Sequence, residues 1–364
     1  MISWVWILAL TCCAALASGA WLWGWMRWLT RQTGEDRYFV RPLEERRALK
    51  RAIRRRGSLV LPILVPVARI FRLRIPTSEY RETRAPALAC PRAAFRQAAR
   101  YQPMKGDVFV ATQMKCGTTW AQQIAYEALS RGRGNLGDDG HRHMYALSPW
   151  IESRASVSLE RAPRVGERGH RIIKTHFAVN LCPYDQAARY IYVTRHPVAR
   201  FASCIDFVRM LSGPLAPPLP ELVDWFCSDS MWWRSWPEHV EGWWRWQMDR
   251  PNVLFLHYED MLDDLPGAVD RVAELLEVDL LPDERAEVVR KSGYEYMKKH
   301  EEVFEMSPPS FLTVEGGTFF RSGRKDRDRA IDEADRTRIA RFCRQRLEGG
   351  AYPLARFYPD VASA

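Results

Sequence analysis

Several things are missing from this sequence, and each absence removes a class of protein. None of the three asparagines, Asn135, Asn180 and Asn252, begins an N-x-Ser/Thr sequon, which disfavours a glycosylated lumenal protein. The eight cysteines form no CxxC pair and no metal-ligand spacing. Cys12 and Cys13 adjoin in an apolar run; Cys90, Cys116, Cys182, Cys204, Cys227 and Cys343 are scattered, as reduced thiols of a cytosolic protein are. No Gly-four residues-Gly-Lys-Ser/Thr run occurs, so an ATP-binding loop of the Walker type is absent. No charged side chain occurs between Ile2 and Met26.

That uncharged stretch is long enough to span a bilayer, which takes about 20 apolar residues. Trp21, Trp23, Trp25 and Trp28 crowd its end, as aromatic residues do at a headgroup belt. Basic residues follow, from Arg27 through Arg54, Arg55 and Arg56. The positive-inside rule then predicts a transmembrane anchor over 1–28 with the bulk of the chain in the cytoplasm. A cleaved signal peptide ending near Ala15-Leu16-Ala17 is the competing reading; the missing basic residue ahead of the run and the basic flank behind it favour the anchor. Residues 29–100 read as a basic juxtamembrane arm. Within it, Leu59–Ala68 is apolar but too short to cross, and Pro62 and Pro66 are expected to break regular helix. This stretch lies in the membrane interface or packs on the main domain.

From about Tyr101 to the end, strands alternate with helices, which predicts a parallel α/β sheet flanked by helices. Strands are expected at Val108–Val110, Arg171–His176, Tyr190–Thr194 and Val253–His257, with a closing helix near Ala330–Leu347. Ligands of such sheets collect beyond the carboxyl ends of the strands. The polar residues trailing each strand therefore face one crevice. The formal net charge of +10 suits an anionic ligand, an acidic membrane face or nucleic acid. The tryptophan block at Trp225, Trp232, Trp233, Trp236, Trp243, Trp244 and Trp246 lies inside the α/β pattern, not on a basic tail. That placement argues for core packing, with a minority lining an acceptor pocket, and against nucleic-acid stacking.

One stretch organises the rest. Val108-Phe109-Val110 is a β-prone run; Lys115-Cys116-Gly117 is a tight turn; Thr118-Thr119 opens a helix through Trp120, Ile124 and Leu129. Unpaired backbone N–H groups, the positive end of a helix dipole and an ammonium then point at one spot, which makes an anion cradle. The lysine precedes the glycine, so the cradle is a phosphate loop of a non-Walker kind.

Three ordered motifs carry a resemblance. Lys115-Cys116-Gly117-Thr118-Thr119-Trp120 resembles the Lys-Ser-Gly-Thr-Thr-Trp 5′-phosphosulfate loop of sulfotransferases. Arg195-His196-Pro197 with Ser203 resembles their 3′-phosphate motif, and Lys174-Thr175-His176 resembles the Lys-Thr-His that carries the catalytic base. Tyr258-Glu259-Asp260, the segment around Tyr294 and Phe320-Arg321-Ser322-Gly323 are weaker echoes. The likeness spans about Tyr101 to Arg329 and is closest to the cytosolic type. Cys116 stands for serine, Gln113-Met114 for Tyr-Pro, His196 for asparagine and Ser322 for lysine; the usual Gly-Asp-Trp is replaced by a stretch with Arg324, Lys325 and Arg327.

The resemblance implies a P-loop-like sheet and a sulfuryl donor, 3′-phosphoadenosine 5′-phosphosulfate (PAPS), without a metal. It implies transfer to a hydroxyl or amine of a small acceptor; the anchor and the tryptophan block together point to a lipid-like one. His176 is then the base, Lys115 and Lys174 the charge-stabilising lysines. Cys116, Gly117, Thr118, Thr119, Trp120, Arg195, Ser203, Tyr258, Tyr294, Arg321, Ser322 and Gly323 are then donor-binding residues. Two other functions fit parts of the sequence: a P-loop kinase or NTPase, and a membrane-bound nucleotide- or lipid-binding protein without catalysis. The partners expected are the acceptor and a membrane, with no nucleic acid.

Overall fold

The computed structural model describes residues 38–70, 75–136, 143–154, 156–305 and 331–364, together with Gly19, Trp23, Gly24, Arg27, Trp28, Arg31 and Gln32. Most of the expected anchor, and the loop holding Arg321, Ser322 and Gly323, lie outside the described residues. Among the described residues no helix is long and apolar enough to cross a membrane.

The chain begins with helix α1 (Leu43–Ile70), then a hairpin of β1 (Thr77–Tyr80) and β2 (Thr83–Pro86), and α2 (Arg92–Ala98). The expectation that Pro62 and Pro66 break the helix is corrected here: α1 runs through both. Each proline removes one N–H, but both side chains are exposed, so the carbonyls left without a donor sit on the helix's outer side.

A four-stranded parallel sheet follows: β3 (Asp107–Thr112), β4 (Arg171–Thr175), β5 (Arg189–Thr194) and β6 (Val253–His257), in the order β4-β3-β5-β6. Their registers bring the carboxyl ends to one side, with Ala111 opposite Thr175 and Tyr192, and Thr194 opposite His257. All six residues of β3 are buried, as a central strand covered on both faces requires. Helices α3 (Thr118–Leu129), α4 (Met144–Leu147), α5 (Pro197–Ser212), α6 (Leu219–Phe226), α7 (Trp236–Asp249), α8 (Tyr258–Asp263), α9 (Leu265–Leu275), α10 (Pro282–Ser292), α11 (Tyr294–Lys299) and α12 (Glu333–Leu347) cover it.

The two faces of the sheet carry separate cores. Val108, Val110, Ile172, Ile191 and Val193 pack with Ile124 of α3 and Val269 and Val272 of α9. Phe109, Ile173, Tyr190 and Tyr192 pack with Trp236 and Trp243 of α7 and Ile339 of α12. The basic arm enters this second core through Tyr38, Phe39, Leu49, Ile53, Ala85 and Phe95.

At the amino end of the sheet, Asp107 is fully buried and takes Arg171 Nη2 at 2.8 Å and Nε at 3.0 Å. Its other oxygen accepts Tyr101 Oη at 2.5 Å and the Met104 N–H at 3.0 Å. The pair ties β3 to β4 at the end away from the crevice. Removing one member leaves a buried charge unmatched. Asp107→Ala is expected to lower the unfolding free energy by about 3–5 kcal/mol in urea titrations; a loss below about 1 kcal/mol, in the surface-pair range, would show that the pair does not anchor the sheet.

Candidate active site

The β3–α3 turn is built by two left-handed residues. Lys115 has φ +69° and Gly117 φ +105°. A Cβ on Gly117 would lie 2.9 Å from Tyr258 Cδ2, so glycine is needed both for the backbone angle and for the ring. Thr112 Oγ1 and Thr118 Oγ1 are 2.5 Å apart and close the turn at its base. Thr118 and Thr119 open α3 and are buried. The Cys116 thiol is buried and its pKa is pushed up to about 12 by burial, so the position carries a neutral thiol where a hydroxyl is usual.

Three strand ends meet at this turn. From β4, Lys174 is fully buried; its Nζ donates to Tyr145 Oη at 2.8 Å and lies 3.7 Å from the Trp150 ring centroid. Burial lowers its pKa to about 7, Glu152 opposes that fall, and Lys115 is near enough to add to it. His176 follows on the same strand end. Its Nδ1 lies 2.8 Å from the Thr112 carbonyl oxygen, and a carbonyl only accepts. The proton of the neutral ring is therefore on Nδ1, and Nε2 carries the lone pair. Nε2 is buried and has no hydrogen-bond partner among the described residues. Burial first, and Lys174 second, hold the imidazole pKa well below its usual value. Trp150 and Trp233 flank the ring, with centroids 5.1 and 4.9 Å away.

From β5, Arg195 is 4 % exposed and lies with its guanidinium carbon 4.4 Å from the Tyr258 ring centroid. Its Nε has no partner among the described residues. Ser203 is buried on α5, and His196 caps that helix. From β6, Tyr258 stands edge-on to Trp120 at 5.3 Å, and Trp120 Nε1 donates to the Ser292 carbonyl, two residues before Tyr294. A cavity of about 300 Å³ opens beside Arg195, lined also by His196, Tyr258, Glu259 and Asp360. The structure thus brings Lys115, Lys174, His176, Gly117, Trp120, Arg195 and Tyr258 to one end of the sheet.

Sequence reasoning missed several groups here. Glu152 is fully buried and accepts the His176 backbone N–H at 2.7 Å. It sits on a short edge segment that bridges β4: Lys174 N–H donates to the Pro149 carbonyl, and Ile151 N–H to that of Lys174. Arg200 is fully buried and donates from Nε to the Met114 carbonyl at 3.0 Å, holding the turn from below. His239 bonds the His176 carbonyl through Nε2 at 2.9 Å. The indoles of Trp236 and Trp243 donate to the carbonyls of Arg195 and Phe177. These tryptophans are core residues that also pin the strand ends. A lone acid in the apolar run Trp150-Ile151-Glu152 was the signal available for Glu152.

Residues 105–351 match the family model described as sulfotransferase domain. A 3-alpha-hydroxysteroid sulfotransferase of Cavia porcellus is 30% identical over 221 residues, 60% of this chain and 75% of that protein. Sulfotransferase 1E1 of Homo sapiens is 26% identical over 229 residues, covering 61% and 77%. Mouse sulfotransferase SULT7A1 complexed with PAP superposes with TM-score 0.61 at 20% identity, over 79% of this chain and 99% of that one. Retinol dehydratase in complex with retinol and PAP gives 0.60 at 21%, over 77% and 93%.

The close approach of Tyr258 makes a test of the turn. Gly117→Ala is expected to cost at least about 1–2 kcal/mol of unfolding free energy, the penalty of a left-handed Cβ, plus the overlap with the ring. Adding Tyr258→Ala should recover the overlap part only. Equal stability of Gly117→Ala and the parent protein would contradict the strained turn.

Proposed function

The chain belongs to the sulfotransferase domain family and is an enzyme of sulfuryl transfer; from this premise we infer that His176 is its general base, PAPS its donor and a small apolar alcohol its acceptor. The observation that carries the reading is the imidazole itself: Nδ1 is committed to the Thr112 carbonyl, and the Nε2 lone pair is buried and free of described partners. A ring held in that tautomer is ready to take a proton from a hydroxyl. The kinase and non-catalytic readings are not favoured, because the family match covers the domain that holds this ring.

The residues fit the donor. Gly117 leaves a cradle that a Cβ would fill, and Arg195 keeps a buried guanidinium N–H without a described partner. An anion would satisfy it. PAPS, when bound, supplies the activated sulfuryl group. The turn of Cys116, Gly117, Thr118 and Thr119 would hold its 5′-phosphate. Arg195 and Ser203 would hold the 3′-phosphate, with Arg321, Ser322 and Gly323 completing that grip. Trp120, Tyr258 and Tyr294 would surround the adenine. Lys115 offers a point charge for the leaving phosphate, and Lys174 for the sulfuryl oxygens. His176 Nε2 would take the acceptor proton as the acceptor oxygen bonds to sulfur and the bond from sulfur to the 5′-phosphate oxygen breaks, leaving PAP. Trp150 and Trp233 beside that nitrogen exclude water and favour an apolar acceptor. Relatives named for hydroxysteroids, and related folds solved with retinol and androsterone, support this acceptor class. For localisation we propose that Ile2–Met26 anchors the chain, with the catalytic domain on the cytoplasmic side of its basic flank.

His176→Ala is expected to keep nucleotide binding, read by thermal shift with PAP, while kcat falls roughly 10²–10⁴-fold. Parental turnover in that variant would reject the base. The pH profile tests Lys174. Burial lowers its pKa, so its charged form is present below about 7 and is lost as pH rises through that value. The kcat/KM of the free enzyme should therefore fall on the alkaline side. Tyr145→Phe removes a hydrogen bond to the ammonium and should move that limb to lower pH; Lys174→Arg should abolish it. A limb that neither substitution moves would rule out Lys174 as its source.

A further inference from the structure

Helix α1 has two faces. Arg46, Leu49, Ile53, Gly57 and Ala68 are buried against the domain. Arg51, Arg55, Leu59, Pro62, Pro66 and Ile70 are exposed and recur at steps of three and four, so they form one stripe on the opposite side. The stripe changes character along its length: arginine in the first half, with Arg54 and Arg56 exposed beside it, and apolar in the second. Leu59 is 69% exposed and Ile70 75%. Set in one row with the exposed Pro62 and Pro66, they make a continuous apolar strip, the kind of surface that marks an interaction site.

Arg56 lies over the Trp28 ring at 3.9 Å, and Trp28 packs against the main core. Trp28 lies two residues beyond Met26, where the uncharged run ends. The described residue at the flank of that run, Trp28, therefore lies beside Arg56, at the edge of the stripe. We propose that this outer face of α1 docks on an anionic lipid surface: the arginine row pairs with headgroup phosphates, and Leu59, Pro62, Pro66 and Ile70 enter the headgroup–acyl boundary. The exposed prolines suit that position, since the carbonyls they leave without a donor face the hydrated interface. The inference extends the anchor reading from a tether to an orientation. It fixes which side of the enzyme faces the bilayer.

The test uses the full chain in vesicles of phosphatidylcholine, alone or mixed with phosphatidylglycerol. Resistance to alkaline carbonate extraction reports the anchor separately. A fluorophore on Leu59→Cys reports the surface through quenching by brominated lipid, with Asp283→Cys as a distant exposed control. Expected is quenching at position 59 and not at 283, stronger in the anionic vesicles and weakened by salt. Arg51→Gln, Arg54→Gln and Arg55→Gln, each removing one charge, should each lower binding to the anionic vesicles by roughly fivefold, the equivalent of about 1 kcal/mol per charge. Carbonate-resistant protein whose position-59 label is quenched no more than the control overturns the docking surface and leaves the anchor. Extractable protein with charge-dependent quenching at 59 overturns the anchor and leaves the surface. A response to an acidic polypeptide with none to vesicles overturns the lipid partner.

Discussion

Cations buried with too few anions are the constraint on which this structure turns. Lys174, Arg195 and Arg200 are each no more than 4 % exposed. Lys174 has a phenol, an indole face and the nearby Glu152; Arg200 has one carbonyl and the Phe226 ring; Arg195 has the Tyr258 ring. Burying such groups costs free energy that neutral partners repay only in part. The surrounding core supplies the difference, and among the described residues the crevice holds more buried cations than anions to match them.

The same economy of partners shapes the His176 imidazole. A histidine at a strand end is usually satisfied on both nitrogens. Here one nitrogen is satisfied by the neighbouring strand and the other is walled by Trp150 and Trp233. Glu152 and His239 hold the backbone on either side of the ring, through the N–H and the carbonyl of His176. The imidazole is thus fixed by main-chain contacts that no substitution in its own motif would reveal.

The amino-terminal arm is bound into this arrangement. Phe39 packs on His143 and Tyr145, with ring centroids 4.5 and 5.2 Å away, and the Tyr145 hydroxyl takes Lys174. Arg46 is buried and donates to the Glu302 carbonyl, while Arg47 and Lys50 pair with Glu302 and Glu305. The arm therefore reaches the lysine of the crevice through Tyr145, and touches the segment Glu302–Glu305 directly. One face of α1 serves the enzyme's interior, and its other face is open to a partner.

The sequence by itself determined the four parallel strands, because runs such as Val108–Val110 and Tyr190–Thr194 are apolar and β-prone over a length that only a buried strand uses. It also determined the Lys115–Thr119 turn and the Lys174–His176 strand end, since local spacing places those groups whatever packs around them. Only the tertiary structure decided the rest. Helix α1 runs through Pro62 and Pro66 because packing of its inner face outweighs two missing N–H donors, and propensity cannot register that. Tyr145, Glu152 and Arg200 reach the site from residues that carry no motif, and the tautomer of His176 rests on a carbonyl 64 positions away in the chain. Contacts of that range depend on strand register and burial, which are properties of the assembled sheet and not of any single stretch.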